Sequence, residues 1–257
     1  ILLLSISIFL TWFTSMIFIS FSLHFVVTSL SNSNGKLSIF KTRLFTLILF
    51  KKYIEVNVMS KILYLMRHGQ TMFNLRGKVQ GASDSPLTKL GISQAKQAGH
   101  YFKHNHITFD EAYSSSSERA CDTLENVLPD QAYQRNKGLK EWSFGLFEGD
   151  SVQLLDAVWD KHDIFGTRLR AFGGETKSEV EHRIVTTLSN LLESSNGKTF
   201  LAVSHGTAIQ VFLRKWIGDD MANQYIIGNC CILKFIYTHG KFEFLDMVDP
   251  TIDDVNK

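Results

Sequence analysis

Ile62-Leu63-Tyr64-Leu65-Met66, followed at once by Arg67-His68-Gly69, decides how this chain is to be read. A short, unbroken apolar run suits a strand covered on both faces, the kind found in parallel sheets. It stops at a polar cluster whose glycine lets the backbone turn sharply and lets a ligand approach the main chain. The arrangement returns at Thr199-Phe200-Leu201-Ala202-Val203, which ends at Ser204-His205-Gly206. Phe109 to Tyr113 reads as a further strand, running into a serine-rich turn and Arg119.

Helical patterns lie between these strands. Residues 86–105 begin with Pro86 and Thr88 and carry Leu90, Ile92, Ala95, Ala98 and Phe102 at helical spacing, with Thr88 as a natural N-cap. Ser117–Val127, Lys177–Glu193 and Ala208–Trp216 also read as helices. Cys230–Tyr237 and Phe242–Val248, joined by Thr238-His239-Gly240-Lys241, read as a terminal hairpin. Strands alternating with helices predict an α/β layered domain with a largely parallel sheet. The site of such a sheet lies beyond the carboxyl ends of its strands. Three strands deliver polar residues to that edge: Arg67-His68, Ser114–Arg119 and Ser204-His205. Forked guanidinium donors match phosphate oxygens, and a neutral imidazole can act as a nucleophile. Two arginines and two histidines at one sheet edge therefore describe a pocket for a phosphate dianion.

Composition agrees with one globular domain. The chain has 257 residues, 44% hydrophobic and 20% charged, which is ample for a core and too apolar for disorder. Its net charge of +2 is uneven. Residues 1–58 hold Lys36, Lys41, Arg43, Lys51 and Lys52 against Glu55, leaving 22 basic and 24 acidic residues in 59–257. No basic, aromatic-interleaved patch is present there, so nucleic acid is not an expected partner. Cys121, Cys230 and Cys231 are too few for a disulfide framework and form no Cys-x-x-Cys pair, so reduced thiols in a cytoplasmic setting are expected.

Residues 1–58 form an apolar extension, uncharged from Ile1 to Asn34. Met59-Ser60-Lys61 is a natural start directly before the first strand. We expect residues 1–58 to be upstream sequence read in frame; the alternative is a membrane anchor that leaves the catalytic part, 59–257, in the cytosol.

The chain resembles the histidine phosphatase superfamily, in its phosphoglycerate mutase-like branch. The resemblance runs through Leu65-Met66-Arg67-His68-Gly69-Gln70-Thr71 with Asn74, then Gln80-Gly81 and Asp84-Ser85-Pro86-Leu87-Thr88 with Gly91. It continues through Ser114-Ser115, Arg119-Ala120, Leu139-Lys140-Glu141-Trp142, Gly145, Glu148-Gly149, Gly173-Gly174-Glu175 and Ser204-His205-Gly206. It implies a three-layer sandwich, with a mostly parallel sheet between helices. His68 would accept the phosphoryl group, gripped by Arg67, Arg119 and His205. Thr71 and Asn74 would add neutral donors, and Gln80, Gly81 and Gly206 further substrate contacts. Glu141 would protonate the leaving oxygen and later activate water, its carboxyl tuned by an apolar setting beside Trp142 and Phe144. The resemblance implies no metal and no cofactor; the partner would be a small phosphorylated metabolite, with a homodimer left open.

Mutases of this kind carry a long basic insertion after the acid. Only about thirty residues separate Glu141 from Gly174 here, which favours hydrolysis over phosphoglycerate mutase-type transfer. Other expectations compete. A non-catalytic phospholigand-binding protein would keep the same residues. A serine hydrolase would use Ser204 with Asp219 and His239. Glu148 is the substitute for Glu141 as acid, and His100, His104 and His106 are spaced like metal ligands but read as a solvated helix end. Ser151–Phe172, with Trp159, Phe165, Arg168 and Arg170, is expected to wall the pocket.

Overall fold

The computed structural model describes residues 60–158 and 167–253. The whole extension 1–58, Trp159 and Phe165 fall outside the described residues. Strands β1 (Lys61–Arg67), β2 (Glu111–Ser115), β3 (Tyr133–Asn136), β4 (Thr199–Ser204), β5 (Ile232–Thr238) and β6 (Lys241–Val248) form one sheet in the order β3-β2-β4-β1-β5-β6. The pairs β3–β2, β2–β4 and β4–β1 are parallel, whereas β5 and β6 run antiparallel as the expected hairpin. Helices α1 (Met72–Leu75), α2 (Lys89–His104), α3 (Glu118–Val127), α4 (Val152–Val158) and α5 (Thr167–Arg170) precede α6 (Lys177–Ser194), α7 (Gly206–Ile217), α8 (Asp219–Ala222) and α9 (Pro250–Asp253).

The sheet alternates its side chains between two cores. Leu63, Leu65, Phe200, Ala202, Leu233 and Phe235 pack with Val180, Ile184 and Leu188 of α6 and Ile209 and Phe212 of α7. Tyr64, Met66, Leu201, Val203 and Ile232 pack on the other face with Ala95, Ala98 and Phe102 of α2 and Ala120 and Leu124 of α3. This is the three-layer α/β sandwich expected from the sequence.

A strand apolar on both faces is not held in register by hydrophobic pattern, because a one-residue slip exchanges one buried set for another. Polar contacts at its two ends supply the register instead. Lys61 Nζ donates to the carbonyls of Leu192 and Ser195, and the His68 amide donates to Ser204 O at 3.0 Å. Arg67 thereby pairs with Ser204, and Ser114 with Val203. Three strand ends arrive level at the edge where the polar residues lie.

Two expectations need correction. Helix α2 buries Gly91, Ala95, Ala98 and Phe102, while Leu90 and Ile92 point to solvent at 53% and 36% exposure. Backbone approach, not bulk, sets the helix's phase: a Cβ on Gly91 would lie 2.1 Å from Gln70 O, and one on Gly99 2.6 Å from Val127 O. Strand β3 was missed. Its Tyr133-Gln134-Arg135-Asn136 is a polar edge strand, which hydrophobic periodicity does not register. Among the described residues no helix is long and apolar enough to cross a membrane.

Gly91 gives a test in which two effects oppose each other. Helix propensity alone favours Ala over Gly by about 1 kcal/mol, yet the Gln70 carbonyl leaves no room for a methyl group. Gly91→Ala is expected to lower the thermal midpoint; a rise would show that the loop at Gln70 gives way freely.

Candidate active site

His68 lies just past β1, buried to 3% exposure. Its Nδ1 sits 2.8 Å from Gly69 O, which can only accept, so Nδ1 carries the ring proton and Nε2 the lone pair. Arg119 Nε points at that nitrogen from 3.3 Å. Asn229 Nδ2 donates to His68 O at 3.0 Å, and the Gly69 amide donates to Thr123 Oγ1 at 3.0 Å. The His68 backbone is thus fixed from three sides, while Nε2 faces a guanidinium.

His205 caps α7, with its ring centroid 5.2 Å from that of His68. Its Nε2 lies 2.7 Å from Ser115 Oγ at the end of β2. Arg67 Nη1 donates to Ile227 O at 2.8 Å. Arg67 Nε and His205 Nδ1 are buried without a partner within the protein. A Cβ on Gly206 would come within 3.1 Å of Arg67 Nε, so glycine there makes space for the guanidinium. Unpartnered buried polar atoms are costly, and a guanidinium donor and a ring nitrogen left so beside His68 mark a place for a ligand.

Burial, then the charges of Arg119 and Arg67, push the His68 pKa well below its usual range. Burial, then Arg119, His68 and Arg67, do the same to His205. Both rings are therefore neutral near pH 7, as a nitrogen nucleophile must be. Burial also lowers the Arg67 pKa, opposed by the nearby Glu141 charge.

Glu141 has a setting that the sequence predicted only in part. It is buried, as are Trp142 and Phe144, and its carboxyl also meets three amides: Thr207 N at 3.0 Å, Ala208 N at 2.7 Å and Trp142 N at 2.9 Å. The first two belong to the opening turn of α7, whose free amides find their acceptor here. The backbone around Glu141 is held by Arg183, which sequence reading missed. Arg183 forks onto Glu175 at 2.9 and 2.7 Å and reaches the carbonyls of Gly138, Lys140 and Glu141. Asn229 and Cys230 were missed too. Cys230 takes a left-handed φ of 60° so that its amide can reach Arg67 O at 3.2 Å.

The loop after α1 supports the site. Thr71 and Asn74 form a capping box, Thr71 Oγ1 donates to Gln80 Oε1 at 2.7 Å, and Gln80 Nε2 donates to Ser85 Oγ at 3.1 Å. Gly81 O accepts from Arg119 Nη2 at 2.9 Å. The hydrogen bonds of these four expected substrate contacts thus brace the pocket. The Glu148 carboxylate takes the amides of Ala82, Ser83 and Phe144 and so holds the loop that carries Gly81.

The serine-hydrolase arrangement is not assembled. Ser204 Oγ donates to Leu139 O at 2.8 Å, Asp219 pairs with Lys177 and Arg214, and His239 is exposed in the β5–β6 turn. His100, His104 and His106 are exposed, and among the described residues no three His, Cys, Asp or Glu side chains gather to hold a metal ion. The three cysteines are buried free thiols. Arg170 pairs with Glu179 at the surface.

Comparisons with known proteins agree with this geometry. The model of the histidine phosphatase superfamily (branch 1) matches residues 63–250. A broad-specificity phosphatase, YOR283W of Saccharomyces cerevisiae, is 29% identical over 192 residues, 71% of this chain and 82% of the yeast protein. A phosphoglycerate mutase from Bacillus anthracis superposes with a TM-score of 0.67 at 26% identity, covering 75% of this chain and 95% of its own. A phosphoserine phosphatase from Entamoeba histolytica, solved with phosphoserine, gives 0.64 at 28% identity, covering 74% and 98%.

The buried neutral histidines make stability depend on pH. Their folded pKa values lie below the unfolded value of about 6.5, so below that pH the unfolded chain binds more protons than the native one. Stability should be full above about pH 6.5 and fall as pH drops, by up to about 1.4 kcal/mol per pH unit for each histidine. Urea unfolding from pH 7.5 to 5 should show a shallower loss in His68→Asn than in the wild type. Equal slopes would mean that His68 is protonated in the native protein.

Proposed function

Because this chain belongs to branch 1 of the histidine phosphatase superfamily, we propose that it is a phosphatase that hydrolyses a small phosphomonoester through a phosphohistidine on His68. The observation that carries this reading is the buried Nε2 lone pair of His68, facing Arg119, in a pocket where Arg67 Nε and His205 Nδ1 have no partner within the protein.

In the first step His68 Nε2 forms a bond to phosphorus as the ester P–O bond breaks, and the leaving oxygen takes a proton from Glu141. In the second step Glu141 takes a proton from water, whose oxygen attacks phosphorus and releases phosphate and free His68. Arg67, Arg119 and His205 stabilise the charge on the non-bridging oxygens in both transition states. The guanidinium groups serve where other phosphatases use a metal ion. Hydrolysis is favoured over mutase chemistry by the short span between Glu141 and Gly174. The yeast and Entamoeba relatives are named as phosphatases and the Bacillus relative as a mutase, so both outcomes fit the fold.

The test is an acid-quench trap with a labelled generic phosphomonoester. The wild type should yield an acid-labile, alkali-stable phosphoryl group on His68 together with steady phosphate release. His68→Ala should lose both while remaining folded, and Ser204→Ala should keep both. Phosphate release that survives His68→Ala would overturn the assignment.

Glu141 gives a second check. If it protonates the leaving oxygen, Glu141→Gln should slow an alkyl phosphate by about 10²–10⁴-fold, the usual scale of general acid catalysis, and p-nitrophenyl phosphate far less. Equal losses on the two esters would move the acid elsewhere.

A further inference from the structure

Ser115 ends β2 and is wholly buried. Its hydroxyl has one proton and two lone pairs. One lone pair accepts the Ser117 amide at 3.3 Å. Two acceptors compete for the proton: His205 Nε2 at 2.7 Å and Ser117 Oγ at 3.5 Å. The shorter contact lies at an ordinary hydroxyl hydrogen-bond distance and the longer one at its outer limit, so the proton goes to the imidazole. His205 is buried and neutral, and a neutral ring carries one proton. If Nε2 accepts from Ser115, that proton sits on Nδ1, the nitrogen that has no partner within the protein.

The opposite tautomer would fit poorly. A proton on Nε2 would force Ser115 to donate across 3.5 Å. It would also leave a bare Nδ1 lone pair in a pocket that Arg67 and Arg119 make attractive to anions.

We propose that Ser115 is a positioning residue that fixes His205 as its Nδ1–H tautomer, so that a neutral imidazole offers a donor to the phosphoryl oxygens. The donor's purpose rests on the phosphatase reading; the tautomer itself does not. In this arrangement His205 binds an anion without becoming a cation, and its hydrogen bond does not depend on acid conditions. The serine-rich turn after β2 thus acts on His205 as well as opening α3.

The test uses the full chain labelled with ¹⁵N on histidine, and long-range ¹⁵N–¹H spectra at pH 7. The His205 signals are assigned by their loss in His205→Asn. The wild type should show a protonated Nδ1 and a bare Nε2. Ser115→Ala should shift the ring towards the Nε2–H form and weaken orthovanadate binding about tenfold, the scale of one lost hydrogen bond. An Nε2–H ring in the wild type overturns the proposal. So does an unchanged ring and unchanged vanadate affinity in Ser115→Ala. If the wild type has the Nδ1–H ring but binds no vanadate, the assignment of Ser115 stands and the phosphatase reading falls.

Discussion

A single buried guanidinium organises the catalytic end of this protein. Arg119 is fully enclosed, and a charge in that position is tolerable only when its donors are matched. Nε meets His68, Nη1 meets Ser83 O at 2.9 Å and Asp84 Oδ1 at 3.0 Å, and Nη2 meets Gly81 O. Residues 81–84 must therefore wrap beneath α3. Asp84 is drawn in and accepts the Glu118 amide at 2.6 Å, helping to close the helix that carries Arg119. Glu148 clamps the same loop from its other side. Removing any of these partners leaves part of a buried charge unmatched, a loss on the scale of 3–5 kcal/mol for an ion pair.

The same charge prepares the chemistry. Burial alone makes a histidine neutral, and Arg119 and Arg67 reinforce that effect at both His68 and His205. A neutral nucleophile beside two permanent cations is a combination that water would screen away at the surface. Glu141 lies at the start of α7, in the field of Arg67 and of the helix dipole, with its backbone fixed by Arg183 and Glu175. The proposed acid, nucleophile and anion grip thus come from four separate segments, each held by contacts outside the pocket.

Much of this was legible in the sequence, because the features concerned are local. Short apolar runs ending in Arg-His-Gly and Ser-His-Gly mark strands that stop at a sheet edge. The α/β order, the terminal hairpin, and the placing of His68, His205, Arg67 and Arg119 at one sheet edge follow from those runs and their spacing, whereas Glu141 was indicated only by the family resemblance. The features that escaped detection depend on partners distant in the chain. The buried face of α2 is set by the Gln70 carbonyl, and Leu90 and Ile92 carry no sign of it. Arg183 looks like any helix-surface charge until Glu175 and the 138–141 carbonyls close around it. Asn229 and Cys230 sit in an unremarkable turn whose amides happen to meet β1.

Which residue types reach the carboxyl edge of the sheet can be read from consecutive residues, because strand period and helix period are local properties. The same reading places two arginines with two histidines there. Their states come from the folded arrangement: which ring nitrogen of His68 is bare, that His205 Nε2 meets Ser115, and that the Glu141 carboxyl meets amides of α7. Those states depend on burial and on hydrogen bonds spanning 51 to 90 residues of chain. Dielectric and donor geometry are set by what surrounds a group in space, and no local pattern encodes them.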